Sequence, residues 1–352
     1  MNGSSRDTCN GTKTFQEGSN RATLNKLMMT VYQVVLQHPG PIHKFILSLK
    51  ALESCPEIDQ LINFVSKNGI KELTLHIYKG EPYKLPSSLF SCQDITHLEL
   101  FSCVVKPPPA FKGFSRLLCL QLMEVDIAGD AISSLISTCP LLERLSIRSS
   151  SFDDLEIVAL NLRFVRLAGS FSSICFKNTP HLAKVSMHLA SSFQNLVSER
   201  ETSGPVMLIG SFPEIELLEL DCYHLKAMAG GGVLIGHPYS LTHLKAFPGE
   251  MIALDYVPQP LEVQGWSDIS LNELREVEVH RVFGTRPELD FMKVLLAKSP
   301  ILERLLIKLE SEEVSEESRL LEELMRFKRL SPEAEITFRK QDADLRFGDG
   351  FE

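Results

Sequence analysis

The chain has 352 residues, a formal net charge of −9, and is 44 % hydrophobic and 23 % charged, an ordinary globular balance that excludes general disorder. A net acidic charge argues against a phosphate-tracking surface, so no nucleic-acid partner is expected, and no apolar run approaches the roughly 18 residues of a membrane span. Eight cysteines (Cys9, Cys55, Cys92, Cys103, Cys119, Cys139, Cys175, Cys222) contain no CxxC pair; this excludes a zinc ribbon or redox motif and predicts reduced, buried thiols.

In chain order, residues 1–21 are rich in Asn, Gly, Ser and Thr and lack the apolar stretch of a signal peptide; a disordered, non-secreted N-terminus is expected. Ala22–Gln37 carries Leu24, Leu27, Met28, Val31 and Val35 on one stripe, which predicts an amphipathic helix closing one end of the fold. Pro56–Lys67 sets Ile58, Leu61, Ile62 and Val65 on one face, has Pro in the first turn, and stops at Asn68-Gly69. It predicts a helix followed by a strand over Ile70–Ile77. Asp130–Thr138 and Pro287–Lys298 repeat that scheme, each ending just before a proline.

Pro140–Ile147 (PLLERLSI) and Pro300–Ile307 (PILERLLI) agree at six of eight positions, the mark of an internal repeat. Written as apolar-x-x-apolar-x-apolar, the template recurs at Ile95/Leu98/Leu100, Leu117/Leu120/Leu122, Leu142/Leu145/Ile147, Leu162/Val165/Leu167, Leu182/Val185/Met187, Ile215/Leu218/Leu220, Leu274/Val277/Val279 and Leu302/Leu305/Ile307. Weaker copies stand at Ile42/Phe45/Leu47, Ile70/Leu73/Leu75 and Leu241/Leu244/Ala246. From Leu98 to Val185 the steps are 22, 25, 20 and 20 residues, within the span of about 20–29 typical of leucine-rich repeats. Two later steps of 33 leave room for insertions around Ser191–Pro205 and Gly249–Asp268. Alternation of apolar and polar residues makes each copy a short strand with one buried face. The predicted fold is therefore an α/β leucine-rich-repeat solenoid, with parallel strands on a concave wall and helices outside. Glu316–Phe327, with Leu320, Leu321, Leu324 and Phe327 on one side, predicts a capping helix at the far end.

The segments Gly40–Leu47, Lys67–Leu75, Pro107–Ser115 and Cys139–Leu145 resemble the plant F-box/FBD/LRR-repeat family, and Leu289–Lys293, Ser299–Glu303 and Ser331–Ile336 resemble its FBD segment. The resemblance implies a leucine-rich-repeat array over 22–264, FBD-like C-terminal repeats and cap over 265–340, and a flexible tail over 341–352. It also implies that an F-box would bind an SKP-type adaptor of a cullin-based ubiquitin ligase while the repeats select a protein substrate. An F-box needs a Leu-Pro start and a basic, Trp-containing end before the first repeat, whereas the single tryptophan here is Trp266. The expectation is a recognition array with no F-box. A non-ligase scaffold or decoy, and a small-molecule-binding repeat receptor, stand as alternatives.

Outward positions beside the strand leucines are the candidate partner contacts: His97, Glu99, Gln121, Arg144, Ser146, Arg148, Arg166, Glu219, Asp221, Glu278, His280 and Lys308. A merely solvated sheet face is the competing reading. Gly230–Gly232 lacks the lysine and helix of a phosphate loop, Cys222, His224 and His237 fall short of about four converging zinc ligands, and no serine sits in a nucleophile elbow. No catalytic residue, metal or cofactor is expected, and the place of action is cytoplasmic or nuclear.

Overall fold

In the computed structural model the described residues are 29–49, 56–189, 206–208, 215–221, 241–247, 271–309 and 314–340, less positions 36, 39, 79, 283 and 285. Residues 22–28, both insertions, Gly230–Gly232, Cys222, His224, His237, Trp266 and the two termini lie outside that set.

The repeats build one parallel sheet. Its strands are β1 (Lys44–Leu49), β2 (Glu72–Ile77), β4 (His97–Phe101), β6 (Cys119–Met123), β7 (Arg144–Val158), β8 (Phe164–Lys177), β9 (Lys184–Leu189), β11 (Leu217–Asp221), β12 (His243–Phe247), β13 (Glu276–Val282), β14 (Arg304–Leu309) and β15 (Glu335–Lys340), side by side in that order. The two-residue strands β3 (Tyr83–Lys84) and β5 (Cys103–Val104) pair separately. Register is kept across the sheet: Leu73, Leu98, Leu120, Leu145, Val165, Val185, Leu218, Leu244, Val277 and Leu305 form one continuous row. Each is buried, as are the partners two residues on from Leu75 to Met187. The leading template position is closed too, Ile95, Leu117, Leu142, Leu162 and Leu274 being wholly inaccessible. The three template residues of each copy thus become three lines of one core, because an apolar face on a single short strand finds cover only by stacking on its neighbours.

A backbone device holds the phase between repeats. The carbonyl just before each strand accepts two N–H groups from the next repeat: Thr96 O takes Leu118 N and Cys119 N at 2.8 and 3.0 Å, and Leu118 O takes Glu143 N and Arg144 N, both at 2.9 Å. The same fork recurs at Lys71, Glu143, Arg163, Ala183, Glu216, Thr242 and Arg275. A slip of one residue would break the fork and turn the leucines outward together.

On the outer side, helices α1 (Pro56–Lys67), α2 (Gly129–Ser137) and α3 (Arg286–Lys298) fill the longer repeats. They match the predicted segments to within a residue. Helix α4 (Val314–Met325) starts two residues before the predicted segment and ends two before it; Leu320 and Leu324 are buried, while Phe327 lies beyond the helix and packs on the core. Residues 29–35 are helical, with Val35 buried.

The expectation of helices throughout the outer side needs correction in the middle of the array. There β7 and β8 run on as strands of 15 and 14 residues, and their second halves pair Leu155 with Ile174 and Ile157 with Phe176. All four are buried. A 20-residue repeat leaves too little chain for a helix of three turns, so it covers the core with a second parallel ladder. The short β10 (Val206–Leu208) joins that ladder on β8.

Cys92, Cys103 and Cys139 are free and buried in the core, as predicted for reduced thiols; the free Cys119 is buried on the other face of its strand, and the free Cys175 is half-buried. Burial pushes the Cys103 thiol up to about 12 and that of Cys139 up to about 11, which starves both of thiolate. Native protein treated with iodoacetamide at pH 8 should leave both unmodified and label them once guanidinium is added. Peptide mapping by mass spectrometry reads this; native labelling of Cys103 as fast as Cys175 would contradict it.

Candidate partner-binding wall

Alternation within each strand sends every second side chain away from the core, and the common register stacks these into three rows across the wall. The first runs Lys44, Glu72, His97, Cys119, Arg144, Phe164, Lys184, Leu217, His243, Glu276, Arg304. The second runs Thr74, Glu99, Gln121, Ser146, Arg166, Ser186, Glu219, Lys245, Glu278. The third begins His76, Phe101, Met123, Arg148, Ala168, His188.

Nine of the twelve expected contact residues keep access to solvent. Arg148 is exposed, and His97, Glu99, Gln121, Arg144, Arg166, Glu219, Glu278 and Lys308 are partly so. Two must be corrected. Ser146, 7 % exposed, is a short side chain overhung by its longer neighbours Gln121 and Arg166. His280, 3 % exposed, is buried beside a register shift between Val279 and Val282, with its Nε2 3.0 Å from Glu278 Oε2. Asp221 pairs through its backbone with Phe247, and its side chain lies outside the described set.

The ends of the wall neutralise their own charge. Lys44 Nζ lies 2.9 Å from Glu72 Oε2, and this hydrogen bond lowers the Glu72 carboxyl below its ordinary range. Glu276 stands between His243 at 3.3 Å and Arg304 at 3.5 Å. Glu278 pairs with His280 at 3.0 Å, and that bond, reinforced by Lys245 and Lys308 against the cost of desolvation, holds its carboxyl at about 2 instead of 4.5.

A carboxyl whose pKa falls on folding stabilises the fold fully above its unfolded value and loses that contribution as pH drops from 4.5 through about 2. Between pH 5 and pH 2 the parent chain should therefore lose about 1–3 kcal/mol more stability than Glu278→Gln, allowing for solvent screening at a part-exposed site. Urea unfolding at several pH values measures it; parallel slopes would remove Glu278 from the acid response.

The centre of the wall differs. In the three wall rows of β6, β7, β8 and β9 no position carries a carboxylate, while Arg144, Arg148, Arg166 and Lys184 supply four fixed positive charges; Glu156, on the outer half of β7, pairs with Lys177. The nearest acids are Glu99 on β4, Glu219 on β11, and Glu124 and Glu143 in bounding turns. Arg166 lies 5.6 Å from the centroid of the Phe164 ring, a contact that holds a guanidinium in place over an aromatic face.

Beside that field stands an aromatic group that the sequence reading missed. Tyr78 and Phe101 are 5.2 Å apart between centroids, and His76 meets both edge-on at 5.9 and 6.1 Å. Glu99 accepts from Thr74 Oγ1 at 3.4 Å and pairs with His76 Nε2 at 2.9 Å; Tyr78 OH lies 3.3 Å from His76 Nδ1. The polar edges are thereby used inside the cluster, and Tyr78 remains 55 % exposed. The signal was present: in His97–Phe101 (HLELF), Leu98 and Leu100 point inward, so Phe101 must point out. Among the described residues no group of three or more His, Cys, Asp or Glu is placed to hold a metal ion, and no helix is long and apolar enough to cross a membrane.

Residues 58–235, a span that contains both the aromatic group and the basic field, match the family model described as "FBD-associated F-box protein At5g56370, LRR repeats". The chain is 34 % identical over 351 residues to F-box/FBD/LRR-repeat protein At1g13570 of Arabidopsis thaliana, covering 89 % of this chain and 83 % of that protein. It is 34 % identical over 140 residues to putative F-box/LRR-repeat protein At3g58920 of the same plant, 34 % of this chain and 30 % of that one. Against putative FBD-associated F-box protein At5g22720, also from Arabidopsis, identity is 27 % over 197 residues, 53 % of this chain and 40 % of the relative.

Proposed function

Because the chain belongs to the F-box/FBD/LRR-repeat family, we propose that its repeat array grips a protein substrate on the concave wall, as the substrate-binding part of an SCF-type ubiquitin ligase, and does no chemistry itself. The observation that carries this reading is the in-register set of outward rows, about 50 Å across at the usual strand spacing. They present fixed, varied side chains on a rigid support, which is what recognition of an extended surface requires. Within that reading residues 22–264 are the recognition array, and residues 265–340 are an FBD-like end that covers it. Support for the latter is the alternation β13, α3, β14, α4, β15, tied by Leu330 N to Leu296 O at 2.9 Å and Ser331 Oγ to Leu302 O at 2.8 Å. Free buried cysteines suit a reducing compartment, the cytoplasm or nucleus.

Two experiments test it. A photo-crosslinking amino acid at Gln121 should capture partner protein in cells, whereas the same group at Asn63, exposed on outer helix α1, should not; equal capture from both would discard the wall. Co-purification of the chain with an SKP-type adaptor, beside a relative whose F-box is intact, tests the ligase half. Binding supports recruitment to ubiquitination, and its absence with the control positive leaves a scaffold or decoy.

A further inference from the structure

We infer that the centre of the wall reads an acidic peptide segment of the partner that also carries an aromatic or large apolar residue, set about three to five positions from its acids. The inference rests on the proposed role of the wall and adds what the wall recognises. Charge complementarity supplies the first half. In a chain of net charge −9, the three wall rows of four successive strands hold Arg144, Arg148, Arg166 and Lys184 and no carboxylate. Arg144, Arg148 and Lys184 form no ion pair among the described residues, whereas the flanking strands pair their own charges. Positive charges fixed at neighbouring strand positions and short of counter-charge favour a ligand bearing several carboxylates, which guanidinium groups can meet in bidentate fashion.

The aromatic group supplies the second half. Phe101 shares an outward row with Arg148, two strand intervals away, and Arg166 is one strand further. At about 4.8 Å per interval Arg148 is roughly 10 Å from Phe101, while Arg166, set two residues back along its strand, is roughly 16 Å away, and three to five residues of extended peptide at about 3.3 Å each span these separations. A side chain seated on Tyr78 and Phe101 therefore brings acids three to five positions away onto the guanidiniums, with the peptide crossing the strands. An RNA strand would find the positive field but also the bordering carboxylates Glu99 and Glu219, so the peptide is the better fit.

The test uses the full chain and fluorescein-labelled 12-residue Gly/Ser peptides carrying one Phe and an Asp-Glu pair placed one to seven positions from it, read by anisotropy at 50 and 200 mM salt. Binding should peak at spacings of three to five, fall about tenfold when Asp-Glu becomes Asn-Gln, and weaken with salt. Arg148→Gln, at an exposed position, and the double variant Arg144→Gln/Arg148→Gln should each weaken the best peptide while thermal unfolding stays unchanged; Tyr78→Ala should remove the preference for Phe. No binding at any spacing, indifference to spacing, or tighter binding of a 12-nucleotide oligouridine would each overturn the inference. Capture of a partner from Gln121 together with failure of every peptide would sink this inference alone and leave the wall as the binding surface.

Discussion

Phe114→Ala should lower the unfolding free energy by about 3–5 kcal/mol, the cost of emptying a fully buried aromatic site. Phe114 is wholly inaccessible and lies in the turn that leads into β6. It stacks on Phe90 at 6.3 Å and meets Phe111 edge-on at 4.9 Å, while its backbone hydrogen-bonds the buried Cys139 thiol of the following repeat. The ring thus joins two repeats, and the backbone of the same residue reaches a third. Urea unfolding followed by circular dichroism measures the loss. A change below about 1 kcal/mol would show that the site collapses around the missing ring or that this part of the array unfolds independently of the rest. Hydrogen exchange at β4, β6 and β7 separates those outcomes, since only local unfolding strips protection from these strands in the parent chain.

Gly169→Ala should cost about 2–4 kcal/mol for a different reason, the combination of left-handed strain and backbone overlap. Gly169 has φ +126°, and a Cβ there would stand 1.7 Å from the Ser149 carbonyl oxygen. It lies where β8 leaves the wall and turns into the outer ladder, opposite the register shift between Ser149 and Phe152. The obstacle is backbone, so no side chain can swing aside; β7 and β8 must separate. Thermal unfolding should shift downward, and exchange should rise at Leu155–Ile157 before it rises at Leu98–Leu100. An unchanged melting temperature would mean that the corner tolerates a methyl group after all. Gly113, at φ +91° with a Cβ position 1.8 Å from Thr138 O, invites the same substitution as an independent repetition.

The core was the most legible part of the chain. An apolar-x-x-apolar-x-apolar template has meaning only if each copy is a strand stacked on its neighbours, and the buried rows through Leu98 and Leu100 follow from that alone. Helices were readable where a full amphipathic face and a stop signal coincided, as at Ile58, Leu61, Ile62 and Val65 before Asn68-Gly69. The outer ladder escaped because Leu155/Ile157 and Ile174/Phe176 are ordinary alternation that becomes a sheet only when two 20-residue repeats place them in register. Strand β15 escaped similarly: Ile336 and Phe338 alternate but lack the template's leading position.

The wall was half legible. A polar residue between strand leucines predicts an outward side chain, which holds for Glu99, Gln121 and Arg148, but the burial of Ser146 and His280 depends on their neighbours and on a register shift that spacing does not encode. Phe101 and Tyr78 went unremarked because apolar residues in a leucine-rich pattern read as core. The carboxylate-free field emerges only when four strands are laid side by side.

That side-by-side arrangement sets how such a surface can change over evolutionary time. Since each repeat touches only its neighbours and hands on the next through one forked carbonyl, a whole repeat can be duplicated or lost between β6 and β7 at the cost of a single junction. The aromatic group and the basic field would then move apart or together by one strand interval, about 4.8 Å, and by no smaller amount. Their separation is a stepped quantity, and lineages that gain or drop a repeat would jump between partners of discrete motif length instead of drifting continuously from one to another.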